Sequence, residues 1–276
     1  MPIKLRKDRS LFEKRAKVAD IAFLSREIAK RMNERLSVIK IMPSRILDAG
    51  CAYGDDMKAF SENFPDAWIV GMDTSLTMLG HIRKHLHDRD GMIDCVCGDV
   101  GSLPFGQAVF DMVWSNLLIH WYEDAASVFR EWISVLRQDG LLMFSCLGQG
   151  TWSALRNICK GIDKYSRILE FDSMRDIGDS LIDAGFAAPV LEREWINVTY
   201  STVEKMLTDV RAFGGHLPGN HPEDPRDVND HKKLVDCLNA KRDGDGLLSL
   251  EFEIIYAHAF KGKETMREER VIEVFR

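Results

Sequence analysis

Residues 45–54, Arg-Ile-Leu-Asp-Ala-Gly-Cys-Ala-Tyr-Gly, contain the local signals that decide the fold. An apolar run ends at Asp48, and residues 50–54 form a turn of small side chains. Asp55 and Asp56 then open a helix, where the helix dipole favours negative charge. A buried strand, a glycine turn and a helix N-terminus in this order form a cradle in which a ligand can approach bare backbone.

Two further acids follow the next two apolar runs. Asp73 lies 23 residues after Gly50, close to the ~20-residue offset at which an acid contacts a ribose hydroxyl pair. Asp99 follows the third run. Because ligands of open α/β sheets bind at the carboxyl ends of the strands, we expect Asp48, Asp73 and Asp99 to share one ligand-binding edge.

Apolar runs and amphipathic stretches alternate along most of the chain. The alternation predicts strands at 46–50, 68–73, 93–98, 110–115, 140–147, 189–200 and 248–260. It predicts helices at 18–39, 125–136, 151–166, 173–184, 202–213 and 225–242. Short strand–helix spacing implies right-handed crossovers and therefore a doubly wound parallel sheet.

The turn spells Asp-x-Gly-x-Ala-x-Gly, from Asp48 to Gly54, and the chain has no Gly-x-Gly-x-x-Gly run. It resembles the first motif of the S-adenosyl-L-methionine (SAM)-dependent methyltransferases, Asp-x-Gly-x-Gly-x-Gly, with Ala52 replacing the middle glycine. The resemblance implies an α/β fold with a Rossmann-like, doubly wound, seven-stranded methyltransferase sheet, an antiparallel last strand and helical lid insertions. It also implies SAM as cofactor. A positive φ at Ala52 would cost ~1–2 kcal/mol, whereas a negative φ would only narrow the pocket.

The methyltransferase pattern implies roles for individual residues. The glycine turn faces the methionine part of SAM, Asp73 binds the ribose hydroxyls, and Asp99 with the next residue addresses the adenine. Ser115 and Asn116 border the methionine part and the acceptor, and Asp48 reaches the ammonium directly or through water. The implied cofactor-binding set is Asp48, Gly50, Cys51, Ala52, Gly54, Asp73, Asp99, Val100, Ser115 and Asn116.

Composition narrows the class of protein. The 276 residues are 45% hydrophobic and 29% charged, with no run near the ~18 apolar residues of a membrane helix. A net charge of −6 argues against general nucleic-acid affinity. Six cysteines without a paired C-x-x-C pattern suggest reduced thiols, so we predict no metal site and a cytoplasmic location. Seven Lys/Arg in residues 1–17 read as a basic arm rather than a targeting segment.

Beyond the first motif, the chain resembles the malonyl-acyl-carrier-protein O-methyltransferases of biotin synthesis from Ile46 to about Phe260. Ala52 and His120 depart from that family's pattern. The segments that carry the resemblance are 99–105, 110–121, 148–156 and 210–215.

That resemblance implies a malonyl thioester as acceptor, whose free carboxylate is already ionised and needs no general base. It needs a cation, and an arginine fork matches a carboxylate. Arg211, beside a Gly-Gly pair in the expected lid, is the first candidate and Arg156 the second. His120 and Trp121 are candidates to line the acceptor pocket. An acidic carrier protein would dock on the basic arm and on Arg26, Lys30 and Arg31.

Two other functions stay open at this stage. Residues 118–121 and 183–186 also resemble methyltransferase-like assembly factors of respiratory complex I, which bind SAM. A methyltransferase for another small acceptor, such as a phenol or quinone, would need a base, for which His120 is the candidate.

The same reading predicts five segments along the chain. They are a basic arm and N-terminal helix at 1–42, a SAM-binding core at 43–200, a helical lid at 201–246, a final core strand at 247–262 and a charged tail at 263–276.

Overall fold

The computed structural model describes residues 21–86, 92–162, 168, 170–213 and 225–262. The expected basic arm and charged tail lie outside these residues. The strands are β1 (Arg45–Ala49), β2 (Trp68–Asp73), β3 (Ile93–Cys97), β4 (Phe110–Ser115), β5 (Leu136–Leu147), β6 (Phe186–Tyr200) and β7 (Leu248–Lys261). They form one sheet in the order β3-β2-β1-β4-β5-β7-β6.

The helices cover the faces of this sheet. They are α1 (Ile21–Leu36), α2 (Asp55–Asn63), α3 (Leu76–His85), α4 (Ala125–Val135), α5 (Ser153–Ile162), α6 (Met174–Asp183), α7 (Val203–Ala212) and α8 (Pro225–Asn239), with a 3₁₀ turn at Ile119–Trp121. Helix α8 ends three residues before the predicted Arg242. The amides of Lys241 and Arg242 donate to carbonyls three residues back, which closes the last turn tightly.

The predicted sheet topology is confirmed. Strand β1 pairs in parallel with β2 and β4, and β4 pairs in parallel with β5. Strand β7 is antiparallel to both β5 and β6. The carboxyl ends of β1, β2, β3 and β4 therefore lie along one edge, which we call the cofactor edge.

Strand β5 begins four residues earlier than the predicted 140. Leu136 pairs with Phe110, and the register then shifts before Leu141 pairs with Met112. Asp139 sits in this shift with a φ of 60°. The prediction was wrong there because the polar residues of the irregular segment interrupt the apolar run by which a buried strand is recognised.

Strands β6 and β7 extend past the end of β5 as a two-stranded ribbon. Leu147, the last residue of β5, pairs with Ile254. Residues 248–253 of β7 pair instead with residues 195–200 of β6. Because β7 runs antiparallel to β5, this ribbon projects beyond the carboxyl end of β5, on the side of the cofactor edge.

Two apolar clusters form the core, one on each face of the sheet. The first includes the apolar stripe of α1 (Leu24, Ile28, Met32 and Leu36) together with residues of α5, α7, α8 and the ribbon. The second is built around α4 and includes Phe129, Trp132 and Phe144. None of the described helices is long and apolar enough to cross a membrane.

Candidate cofactor and acceptor site

The turn after β1 has three residues with left-handed backbone. Gly50 has a φ of 84°, Gly54 of 79° and Ala52 of 46°. The φ of Gly50 favours glycine, and a Cβ there would also displace the end of the Leu118 side chain, 2.9 Å away. Ala52 therefore has the strained conformation that the sequence left open, which costs ~1–2 kcal/mol.

Asp73 joins this turn to the start of α3. Its Oδ2 accepts a hydrogen bond from the Ala52 amide at 3.1 Å, and its Oδ1 accepts one from the Ser75 amide at 2.8 Å. The amides of Gly50 and Cys51 both donate to the Met72 carbonyl. The carboxylate of Asp73 thus links the glycine turn to the start of α3.

Asp99 and Val100 follow β3 in a loop that side chains of later elements hold. The Tyr122 hydroxyl donates to Asp99 Oδ1 at 2.7 Å, and the Gly101 amide donates to the same oxygen. Val100 is buried, and its carbonyl accepts from the Trp132 indole at 3.1 Å. The three acids predicted to share an edge lie at the carboxyl ends of neighbouring parallel strands: Asp48 and Asp73 at the ends of β1 and β2, and Asp99 just after β3.

Ser115 and Asn116 connect the end of β4 to its surroundings. The buried Ser115 hydroxyl donates to the Ala49 carbonyl at 2.8 Å. Asn116 Nδ2 donates to the Ser25 carbonyl of α1 at 3.0 Å, and its Oδ1 accepts from the Ser145 hydroxyl. Helix α1 is therefore bound at the cofactor edge.

Two buried acids, Asp48 and Asp56, lie near one another at this edge. Asp48 is 1% exposed, and its Oδ2 has no hydrogen-bond partner among the described residues. Burial, with the negative charges of Asp56 and Asp73, raises the pKa of Asp48 well above its ordinary value. Burial raises the pKa of Asp56 to about 6, against the opposing hydrogen bond from Asn116.

Asp56 is a site residue that the sequence reasoning missed. The sequence assigned it to the first turn of a helix, where an acid needs no other explanation. Its closeness to Asp48 depends on which face of α2 packs against the sheet. The only signal in the sequence was the position of Asp56 in the first turn of the helix that follows the glycine turn. Together, the buried acids and the open glycine turn fit a cationic ligand with an extended polar part, as SAM is.

A row of aromatic contacts leads from the cofactor edge to the end of α7. The ring centroid of buried His120 lies 5.6 Å from that of Phe171, and the centroid of Phe171 lies 5.6 Å from that of Trp152. Trp152 and Phe213 each lie 5.8 Å from Phe252 in the ribbon. We call these five rings the aromatic row. It begins at one predicted catalytic residue and ends two residues beyond the other, Arg211.

The two candidate arginines differ in their surroundings. Burial lowers the pKa of Arg211, and its partly buried guanidinium has no ion-pair partner in the part of the chain that the structure describes. Burial also lowers the pKa of Arg156, against the opposing charges of Glu170 and Glu253, and Arg156 donates to the Gln149 carbonyl. Arg211 is thus the arginine with the greater need of an anion.

Other predicted positions have structural partners. His120 Nδ1 accepts from the Leu147 amide at 3.5 Å, which orients the ring. Arg26, an expected docking residue, pairs with Asp55 at 2.9 Å. Arg31 pairs with Glu27 at 2.8 Å and with Glu194 of β6. The ion pair with Glu194 therefore connects α1 to β6.

Thiols and possible metal ligands are dispersed. The six cysteines are free thiols, and Cys51 of the cofactor turn is buried. The described residues contain no cluster of three or more histidine, cysteine, aspartate or glutamate side chains suited to a metal ion.

Comparison with known proteins agrees with this geometry. A family model described as a methyltransferase domain matches residues 47–144. The malonyl-[acyl-carrier protein] O-methyltransferase of Gallionella capsiferriformans is 37% identical over 87% of this chain and 84% of its own length. The protein of the same name from Nitrosospira multiformis is 34% identical over 93% and 89%. The crystal structure of YcgJ from Bacillus subtilis superposes with a TM-score of 0.60 at 16% identity, covering 84% of this chain and 98% of YcgJ.

Proposed function

The chain belongs to the family of malonyl-[acyl-carrier protein] O-methyltransferases, and we propose that it transfers the methyl group of SAM to the free carboxylate of a malonyl group on an acyl-carrier protein. SAM supplies an electrophilic methyl on a sulfonium. The residues of the chain bind the donor, orient the acceptor and exclude water, and positioning of this kind can supply several kcal/mol of the barrier.

The observation that carries the proposal is the opposite charge of the two sides of the site. Asp48, Asp56 and Asp73 lie where the methionine and ribose parts of a cationic donor would lie. Arg211 stands at the far end of the aromatic row, partly buried and without an acidic partner among the described residues. A donor cation and an acceptor carboxylate would supply the missing opposite charges.

Each side chain has a stated part in this proposal. Asp73 accepts from the ribose hydroxyls, Asp99 with Val100 borders the adenine, and Asp48 with Asp56 faces the ammonium. Arg211, on α7 of the proposed lid, is assigned to the acceptor carboxylate, which its guanidinium fork would hold by a two-point hydrogen bond once the lid closes toward the cofactor edge. His120 shapes the acceptor wall rather than acting as a base, because an ionised carboxylate has no proton to lose.

The ribbon supports a lid function for residues 201–246. It projects on the side of the cofactor edge and packs against α7 and α8 within one apolar cluster. We propose that this segment closes over the acceptor, while 43–200 and 247–262 form the SAM-binding unit.

The test is methylation of the carrier itself. The purified protein is mixed with SAM and malonyl-acyl-carrier protein, and the intact mass of the carrier is recorded. We expect a gain of one methyl, absent with Asp73→Ala and absent with an acetyl-carrier that has no free carboxylate. Confirmed SAM binding without methyl gain would reject this acceptor. That result would favour a SAM-binding assembly factor or a methyltransferase for another acceptor.

A further inference from the structure

Ser145 of β5 is a buried polar residue to which the proposed function gives no part. Its hydroxyl accepts a hydrogen bond from the Leu117 amide at 3.0 Å. An amide N–H can only donate, so the single proton of the Ser145 hydroxyl is left for a second partner. That partner is Asn116, whose Oδ1 accepts the proton at 2.9 Å.

The bond from Ser145 fixes the direction in which the Asn116 amide points. With Oδ1 as the acceptor of the Ser145 proton, Nδ2 is directed to the other side of the side chain. There it donates to the Ser25 carbonyl at 3.0 Å and to Asp56 Oδ2 at 3.4 Å. The reversed amide would set its oxygen against a carbonyl and a carboxylate, which are both acceptors when Asp56 is ionised. One orientation of the amide is therefore consistent with all of these contacts.

The backbone that carries Asn116 is strained at the next residue. Leu117 has a φ of 53°, a left-handed value that is uncommon outside glycine. Ser145 binds its amide twice, through the hydroxyl at 3.0 Å and through the backbone carbonyl at 3.1 Å. Strained residues persist where surrounding contacts over-determine them, and they cluster at functional sites. Ser145 thus holds both the side chain of Asn116 and the turn that follows it.

We propose that Ser145 is a positioning residue for the methyl donor, because it sets the Asn116 amide that holds Asp56 toward the ammonium of SAM. The inference rests on the proposed function, in which Asp48 and Asp56 face that ammonium. Ser145 itself does not touch the donor in this proposal. It acts through two hydrogen bonds in series, from Ser145 to Asn116 and from Asn116 to Asp56.

The hydrogen bond from Asn116 bears on the charge of Asp56. Burial raises the pKa of Asp56 to about 6, and the bond from Asn116 opposes that rise. A hydrogen bond to the charged form lowers the pKa of a carboxyl group, so its loss should raise the pKa of Asp56 further. Among the described residues, the charged groups around Asp56 are Asp48 of β1, Asp73 of β2, Asp55 of α2 and Arg26 of α1, which pairs with Asp55. A change at Ser145 leaves these charges as they are, so its effect on Asp56 passes through Asn116.

The test follows SAM affinity by calorimetry from pH 5 to pH 8. In the wild-type protein the affinity should rise with pH as Asp56 ionises, with a midpoint of about 6. Ser145→Ala removes the hydroxyl, so the midpoint should move up by about one pH unit. SAM binding should then be about threefold weaker than in the wild type at pH 6 and nearly equal to it at pH 8. A structural role alone would weaken binding by the same factor at every pH, and that result would overturn the inference.

Thr151→Val is the matched control. Thr151 is also buried, and its hydroxyl also makes two hydrogen bonds, with the amide and the carbonyl of Glu253. Thr151→Val should lower the melting temperature as Ser145→Ala does, and leave SAM affinity and its pH midpoint at their wild-type values. An equal shift of the midpoint in both variants would attribute the effect to lost core stability and reject the positioning role.

Ser145→Cys keeps a weak donor at the same place. Its midpoint should fall between those of the wild type and Ser145→Ala. It also takes the place of Ser145→Ala in the comparison if the alanine variant does not fold. A midpoint in folded Ser145→Cys that equals the wild-type value at every stage of the titration, with Ser145→Ala also unshifted or unfolded, would contradict the inference.

The double variant Ser145→Ala/Asp56→Asn tests the route of the effect. Without the titrating carboxyl group, Ser145→Ala should lose most of its influence on SAM binding, since the two residues are coupled through Asn116. An undiminished effect of Ser145→Ala in the Asp56→Asn protein would overturn the route through Asp56.

Methylation of the malonyl carrier separates this inference from the proposed function. If the carrier is methylated but SAM affinity responds neither to Ser145→Ala nor to Asp56→Asn, the positioning role is wrong and the function stands. If the midpoint moves as expected in Ser145→Ala but the carrier gains no methyl, the positioning of the donor is supported and only the acceptor is rejected.

Discussion

The proposed donor side of the site, with Asp48 and Asp56, and the proposed acceptor side, with Arg211 and Arg156, carry opposite charges. On the donor side, burial raises the pKa of Asp48 and Asp56, so the protein holds carboxylates where they are costly to ionise. On the acceptor side, burial lowers the pKa of Arg211 and Arg156. Each side therefore contains charges that the described protein groups stabilise incompletely.

The difference has a physical consequence for the reaction. A methyl transfer from a sulfonium to a carboxylate brings a cation and an anion together and consumes both charges. Partly buried countercharges attract each reactant, and they lose that attraction once the products are neutral at sulfur and esterified at oxygen. The comparison therefore predicts that substitutions on one side affect one substrate and spare the other.

The largest effect is expected from Arg211→Ala. Removing one partner of a buried charge pair typically costs 2–5 kcal/mol, so kcat/KM for the malonyl carrier should fall about 100-fold or more, with SAM affinity unchanged. Steady-state kinetics and calorimetry measure the two quantities. Lys205→Ala, an exposed position on the same helix, is the control. An equal loss in Lys205→Ala would show that general charge, rather than a specific contact, is responsible.

Next in size is Asp48→Asn. The neutral amide removes a buried carboxylate that lacks a partner for Oδ2 among the described residues, so the unliganded protein should melt at a higher temperature. SAM affinity should fall about tenfold, since a countercharge for the donor is lost.

Asp111→Asn serves as the control for Asp48→Asn. Asp111 is an acid with satisfied contacts, because it accepts from the amides of Ser44 and Arg45 and pairs with Arg137 at 2.9 Å. That variant should lose stability and keep its SAM affinity. Stability changes of the same sign in both variants would contradict the assignment of Asp48 as a costly, functional charge.

A smaller effect is expected from pH through Asp56. Its pKa is about 6 in the folded protein against an ordinary 3.8, so the protonated form contributes stability that is fully present below pH 3.8 and is lost as pH rises through 6. SAM affinity should change in the opposite direction and rise about threefold between pH 5 and 7, because the cation favours the ionised acid. Melting curves and calorimetry of Asp56→Asn should show both slopes reduced, and unchanged slopes would assign the titration to another group.

The smallest effect is expected from Ala52→Gly. Glycine relieves the positive φ at a small cost in chain entropy, so the net gain should be about 0.5–1 kcal/mol in unfolding free energy. Ala108→Gly is the control, since Ala108 also has a positive φ, of 54°, but lies outside the cofactor turn. Both variants should gain similar stability in urea unfolding, and only Ala52→Gly should change SAM affinity. A stability loss at Ala52 alone would show that its methyl makes a contact that outweighs the strain.

Much of the donor side could be predicted because its signals are local. The apolar runs, and the polar and glycine residues that end them, predict the strand that contains Asp48 and the glycine turn after it. They also predict Asp73 at the end of β2 and Asp99 after β3. The roles assigned to those acids stay predictions. Asp56 was not identified because its environment depends on the hydrogen bond from Asn116 and on its nearness to Asp48, whereas its sequence position alone suggests a helix start.

Less of the acceptor side could be predicted. The helices α7 and α8 were anticipated from their periodicity, but the ribbon that carries them arises from the unequal lengths of β5, β6 and β7. Arg31 is predicted to dock a carrier protein, and its ion pair with Glu194, 163 positions away, is an additional contact that the sequence did not predict. Pairing over such a distance in sequence leaves no periodic pattern.

The sequence by itself determined the order of strands and helices, the cofactor turn and the class of chemistry, because each depends on residues that are close along the chain. Only the tertiary structure decided that Ala52 has a strained backbone, that Asp48 and Asp56 share a buried position, and that five aromatic rings join His120 to the end of α7. These features result from packing between segments far apart in the chain, where burial and backbone conformation are set by neighbours that no local pattern specifies.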